Sequence, residues 1–132
     1  MQRPPPPLTD RNRAFWASGA DNILRIARCQ GCGFYMHPPK PVCPQCRSFE
    51  IAWTPVSGRG TIYSWTVNRY TWTPELPPPY VLAEVELVEQ PGLRLTSQIV
   101  GVDPTGEDVR IGMPVTVEFE RTADVWAPVF RP

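Results

Sequence analysis

Cys29-Gln30-Gly31-Cys32-Gly33 and, beyond a proline-rich loop, Cys43-Pro44-Gln45-Cys46 carry all four cysteines of the chain, in the pattern Cys-x2-Cys-x10-Cys-x2-Cys. Each pair spans a tight turn, which brings two sulfurs within reach of one tetrahedral ion. Gly31 and Gly33 give the first turn backbone freedom, and Pro44 stiffens the second. Four thiolates in a closed shell are the donor set of a structural zinc site, and they leave no open position for a catalytic water. An iron centre of rubredoxin type and a redox-active dithiol pair draw on the same residues; both stand open beside zinc at this point. The gap between the pairs is shorter than the spacing of about 15–20 residues common in such ribbons. It is still long enough for a hairpin to fold back, with Pro38, Pro39 and Pro41 stiffening its loop.

Upstream of the cysteines, Met1 to Pro7 is polar and proline-rich, with no apolar core of a signal peptide. Pro4 to Pro7 reads as an extended tether. Thr9 or Asp10 is placed to cap a short helix running to about Ala20, whose bulky residues are Phe15 and Trp16. A helix this short is not stable alone, so its aromatics must pack on the body or on a partner.

Downstream, a linker leads to Ser57-Gly58-Arg59-Gly60, where the pattern changes to the alternation of half-buried strands. Thr61 to Tyr70 places Tyr63, Trp65 and Val67 on one face. Tyr80 to Val88 turns Val81, Ala83, Val85 and Leu87 inward, with Glu84 and Glu86 outward. Leu93, Leu95 and Ile99 mark a third strand. Val115, Val117 and Phe119 alternate with Thr116, Glu118 and Glu120 in a fourth, and Val125 to Phe130 is apolar enough to close the sheet. Gln90-Pro91-Gly92, Asp103-Pro104-Thr105-Gly106 and Gly112-Met113-Pro114 interrupt the strands with turn chemistry. Five short strands with irregular connections predict a small closed barrel of the OB type. The expected fold is mainly β: tether and helix over 1–24, zinc ribbon over 25–55, OB barrel over 56–132.

Thirteen basic residues, twelve of them arginine, balance thirteen acidic ones, and the isoelectric point is near 6.6. That balance argues against a nucleic-acid partner, which usually meets a basic stripe. It leaves single-stranded nucleic acid, which OB barrels bind by stacking bases on aromatics, as a weak alternative. No apolar run approaches the roughly 20 residues of a membrane span, so the expectation is a cytoplasmic protein without a membrane partner. His37, the single histidine, reads as a packing or surface residue of the ribbon loop, and Glu84 and Glu86 as a solvated strand face. No nucleophile–base set or phosphate loop is visible, so no catalytic residue is assigned and the chain is not expected to be an enzyme on its own.

Taken together, Cys29-Gln30-Gly31-Cys32-Gly33, Pro38-Pro39 through Cys46, Gly58-Arg59-Gly60-Thr61 and Ile111-Gly112-Met113-Pro114-Val115 give the chain a resemblance that runs from about Phe15 to Phe130. It resembles the acyl-CoA-associated family that joins a rubredoxin-like zinc ribbon to an OB-fold, long designated a domain of unknown function. The resemblance implies one structural Zn2+ on Cys29, Cys32, Cys43 and Cys46. It implies a non-catalytic accessory subunit for a thiolase-like lipid-transfer protein or aldolase, assembled as a heterotetramer and acting on acyl-CoA. A hydratase subunit is a further partner, and the partner's reaction would be a retro-aldol cleavage in steroid side-chain degradation. A free-standing acyl-CoA carrier is the alternative. Phe15, Trp16, Tyr70, Trp72 and Tyr80 are the interface candidates, because aromatics make anchors at low entropic cost. Arg59 and Arg69 are the candidates for a CoA phosphate.

Overall fold

A computed structural model of the chain describes residues 4–132, so the Met1–Arg3 part of the expected tether lies outside the described residues. The first element, α1 (Arg13–Ala17), runs into a 3-10 turn at Ser18–Asp21. The turn before α1 closes by reciprocal bonds between residues three apart. Thr9 Oγ1 accepts the Asn12 amide at 3.2 Å, and Asn12 Oδ1 accepts the Thr9 amide at 2.8 Å. Phe15 turns into the core, as a helix too short to stand alone requires.

The ribbon is a three-stranded antiparallel sheet in the order β2-β1-β3, from β1 (Arg25–Cys29), β2 (Tyr35–Met36) and β3 (Ile51–Pro55). β3 corrects the sequence reading. Ile51 to Pro55 lies in the stretch taken as linker, yet it pairs with β1 along its whole length, from Arg25 opposite Pro55 to Cys29 opposite Ile51. The segment has no clean alternation, because its side chains are only partly buried on both faces.

The five expected strands are all present: β4 (Arg59–Asn68), β5 (Tyr80–Leu87), β6 (Arg94–Ile99), β7 (Pro114–Thr122) and β8 (Val125–Arg131). They close a barrel in the order β4-β5-β6-β8-β7. In β5 every second residue is buried, Val81, Ala83, Val85 and Leu87, as its alternation predicts. β4 departs from expectation. A β-bulge between Ile62 and Ser64 inserts Tyr63 out of register, so Trp65 and Val67 sit opposite inward-facing Ala83 and Val81 while Tyr63 points out. Its ring lies under the Arg94 guanidinium at 3.5 Å.

One core serves both halves. Phe15, Leu24, Ile26 and Tyr35 from the helix and ribbon join Ile62, Val85, Leu95 and Phe130 of the barrel, with Trp53 and Val56 at its edge. The 3-10 turn docks on β7 and β8 so closely that a Cβ at Gly19 would stand 2.5 Å from Trp126 Cβ and 2.6 Å from Phe119 Cγ. The helix and ribbon are therefore held by burial against the barrel, which contributes roughly 1.5–3 kcal/mol for each large apolar side chain removed from water.

Candidate metal centre and exposed aromatic pair

Two turns built alike hold the four cysteines. In the first, the Gly33 amide donates to the Cys29 carbonyl at 2.9 Å, and the Cys29 amide donates to the Phe34 carbonyl at 2.8 Å. In the second, Arg47 donates to Cys43 and Cys43 donates to the Ser48 carbonyl, both at 2.9 Å. Gly33 and Arg47 end the two turns with positive φ, 82° and 64°. Gly31, expected to supply such freedom, does not use it. The first turn is braced further: Arg28 Nε donates to the Gly33 carbonyl at 2.9 Å, and the same guanidinium lies 4.5 Å from the centre of the Tyr35 ring.

Both turns present amides to the leading sulfur. Cys32 N–H approaches Cys29 Sγ at 3.5 Å, and Gln45 N–H approaches Cys43 Sγ at 3.4 Å. Cys29 and Cys43 are buried, whereas Cys32 and Cys46 face solvent. The four sulfurs lie within 4.8 Å of one another, with Cys29 to Cys46 at 3.5 Å and Cys32 to Cys43 at 3.6 Å. A tetrahedron with metal–sulfur bonds of roughly 2.3 Å sets its sulfurs about 3.8 Å apart, so the cysteines fit one metal ion without rearrangement.

The proton chemistry of the cluster fits a cation as well. The Cys32 amide, opposed by desolvation and aided by the Cys46 thiol, brings the Cys29 thiol down to about 6. The Phe34 amide favours the Cys32 thiolate too, but desolvation and the neighbouring Cys46, Cys43 and Cys29 push it up to about 12. Thiols packed this tightly oppose each other's ionisation, and a divalent ion at their centre removes that conflict.

The aromatic candidates divide. Phe15 is 6% exposed and belongs to the core, and Trp16 packs partly against it with ring centroids 5.1 Å apart. Tyr80 is half-buried at the start of β5. Tyr70 and Trp72 stand out from the body, 64% and 72% exposed, their rings edge to face at 4.6 Å. Asn68, at the end of β4, organises the pair. Its Oδ1 accepts the Trp72 indole N–H at 2.8 Å and its Nδ2 donates to the Tyr70 carbonyl at 2.7 Å. Sequence reasoning passed over Asn68, since an asparagine after a strand signals only a turn. The aromatic pair is thus pre-ordered, which lowers the entropic cost of using it as an anchor.

Arg59 and Arg69 are both exposed but flank opposite ends of β4, separated by roughly 30 Å of extended chain. Glu86 is committed structurally, accepting from Arg94 Nε and the Gly92 amide at 3.1 Å each. Among the described residues, no helix is long and apolar enough to cross a membrane.

Comparison with known proteins follows the same division of the chain. The profile of the ChsH2 rubredoxin-like zinc ribbon domain matches residues 16–52, and that of the ChsH2 C-terminal OB-fold domain matches residues 53–120. A probable enoyl-CoA hydratase alpha subunit of Thermomonospora curvata is 40% identical over 130 residues, covering 97% of this chain and 40% of that protein. The 3-oxo-4,17-pregnadiene-20-carboxyl-CoA hydratase alpha subunit of Mycobacterium tuberculosis is 38% identical over 114 residues, covering 86% of this chain and 35% of that protein. The chain therefore spans well under half the length of these two relatives. Among solved structures, a chain of an Ltp2-ChsH2(DUF35) aldolase superposes with a TM-score of 0.86 at 36% identity, covering 97% of this chain and 98% of that one.

Proposed function

The chain belongs to the ChsH2 family of rubredoxin-like zinc ribbons joined to an OB-fold, and on that footing we propose that it is the accessory subunit of a thiolase-like aldolase. The observation that carries the reading is the likeness, over nearly the whole of both chains, to a subunit of the Ltp2-ChsH2(DUF35) aldolase. The partner supplies the catalytic residues and cleaves a carbon–carbon bond of an acyl-CoA by a retro-aldol step. The pregnadiene-carboxyl-CoA named for the Mycobacterium tuberculosis relative favours a steroid side chain as the substrate class.

In this reading Cys29, Cys32, Cys43 and Cys46 hold one structural Zn2+. With four thiolates around it the ion supplies no Lewis acidity to substrate; it fixes the two turns and so the ribbon. The barrel and ribbon then act as one rigid body, because they share a core. Tyr70 and Trp72, held by Asn68, are the anchors that insert into the partner. The assembly is a heterotetramer of two such subunits and two thiolase-like subunits, located in the cytoplasm, and a hydratase subunit that supplies the hydroxyacyl-CoA is the natural third component.

Co-expression with an Ltp2-type thiolase-like protein tests the proposal. The expected result is a stable complex that carries retro-aldol activity, with neither component active alone. Full turnover by this chain in isolation, or by the partner without it, contradicts the assignment.

A further inference from the structure

β4 is paired on both edges for only part of its length. On one edge it runs beside β5 from Gly60 to Asn68. On the other it meets β7 only at Arg59, Gly60 and Thr61. The chain before β7 adds two bonds at Ile62, whose amide donates to the Met113 carbonyl at 3.0 Å and whose carbonyl accepts the Gly112 amide at 2.7 Å. Among the described residues, no backbone hydrogen bond reaches β4 from that side beyond Ile62.

The ladder fixes which groups are left over. In an antiparallel pair, residues alternate between facing the neighbour with both N–H and C=O and turning both away. The Leu87 amide donates to the Leu93 carbonyl at 2.9 Å, so Val85, Ala83 and Val81 also face β6, and Glu84 and Leu82 face β4. Their partners after the bulge are Ser64 and Thr66. Trp65 and Val67 therefore turn their N–H and C=O to the unpaired edge. Tyr63, Ser64, Trp65 and Thr66 are all exposed, and peptide groups without a partner are rarely left buried. The edge is open to solvent.

Strand edges of this kind are usually protected by a charge, a proline or a bulge. The bulge here lies before Ser64, and from Ser64 to Asn68 the register is unbroken. Tyr63-Ser64-Trp65-Thr66-Val67-Asn68 contains no charge and no proline. Asn68, which ends the run, is also the residue that holds Tyr70 and Trp72. The open edge is thus continuous with the aromatic pair.

We propose that the thiolase-like partner docks by strand addition, an extended, uncharged segment of it pairing with the β4 edge at Trp65 and Val67. Main-chain bonds supply the attraction there. The segment is uncharged because β4 offers it no charged side chain between Tyr63 and Asn68. Tyr70 and Trp72 then anchor the partner at the end of the added strand. The proposal rests on the accessory-subunit reading and deepens it.

Hydrogen exchange at single-amide resolution reads the pairing directly, on the full zinc-loaded chain alone and in complex with an Ltp2-type thiolase-like protein. In the free chain the Trp65 and Val67 amides should exchange faster than those of Ser64 and Thr66. In the complex those two should slow by about tenfold or more, while Ser64 and Thr66 change little. Val67→Pro removes one outward N–H and no bond to β5, and Val67→Ala keeps that N–H. The proline variant should bind the partner roughly tenfold more weakly than the alanine variant. The exchange readout does not depend on either variant folding. A complex in which Trp65 and Val67 exchange as in the free chain overturns strand addition and leaves the accessory role standing. Equal affinities of the two variants, or slow exchange at both amides in the free chain, do the same. If no complex forms, both readings fall.

Discussion

The side chain of Gln90 pairs with the backbone of Tyr35 as a β-strand neighbour would: Oε1 accepts the Tyr35 amide at 2.9 Å, and Nε2 donates to the Tyr35 carbonyl at 3.0 Å. Tyr35 lies on β2, the edge of the ribbon sheet, and Gln90 lies in the turn between β5 and β6. Its neighbour Glu89 accepts the Ser57 amide through Oε2 at 2.8 Å, at the junction of ribbon and barrel. The hairpin tip thus grips both the ribbon edge and the connecting segment. The aromatic ring of Tyr35 carries Arg28, which in turn holds the Gly33 carbonyl of the first cysteine turn. The metal centre is tied to the barrel through named contacts.

Gln90→Ala removes both bonds at once and should lower stability by about 1–3 kcal/mol, at roughly 0.5–1.5 kcal/mol per hydrogen bond. Gln90→Glu keeps the acceptor and loses the donor, so it should fall between the two. Urea denaturation gives the energies, and amide exchange at Tyr35 reports the site directly. Unchanged exchange at Tyr35 in the alanine variant would show that the pair does not hold the ribbon.

The alternation of β5 was legible because one face of that strand meets the core and the other meets water, so a period of two is forced on the residues themselves. The bulge at Tyr63 was not, since an extra backbone residue leaves no compositional trace when its side chain is also aromatic. β3 escaped for a related reason: Ile51, Ala52, Trp53 and Thr54 are all partly buried, so no face stands out. The cysteine spacing specified the cluster completely, because ligand reach depends on turns of fixed length. Which aromatics would face outward was beyond it. Phe15 and Trp72 look alike in sequence, and only the docking of α1 on the barrel buries the first while leaving the second exposed.

Cys43→Ser should abolish metal binding at the cysteine cluster, since Cys43 is fully buried and a hydroxyl cannot replace its thiolate in a four-sulfur shell. A metal assay would read this, and Trp53 emission would report the loosened ribbon. Treating the wild-type chain with a strong chelator should give the same spectral change, reversed by added zinc. A variant that loses the metal yet keeps the amide protection of β1 and β2 would remove the scaffold role assigned to the ion.

Trp72→Ala should leave the fold within about 0.5 kcal/mol of wild type, because the side chain is exposed. Its effect on the complex should be at least about 2 kcal/mol, or roughly thirtyfold in affinity for the thiolase-like partner. Asn68→Ala, which frees the aromatic pair without deleting it, should weaken binding by a smaller factor. Calorimetric titration of the partner distinguishes the two, and an unaltered affinity in Trp72→Ala would move the interface elsewhere.

His37 titrates with its pKa below the ordinary 6.5 because it is buried. The unfolded chain therefore takes up a proton at higher pH than the folded chain does. The stabilising effect is complete above pH 6.5 and is lost as pH falls from there toward the folded pKa. His37 is the single histidine of the sequence, so His37→Phe should flatten the slope of stability against pH just below 6.5. Parallel slopes for the wild type and the variant in that window would mean the imbalance lies elsewhere.

The central claim is that this chain serves a catalytic partner rather than acting by itself. Its most direct test is the carbon–carbon cleavage rate of an Ltp2-type thiolase-like protein on a hydroxyacyl-CoA, measured with increasing amounts of this chain and paired with the mass of the complex in solution. The account predicts no cleavage by either protein alone and a rate that rises and saturates as a heterotetramer forms. A rate independent of this chain, or cleavage by this chain without the partner, would contradict it.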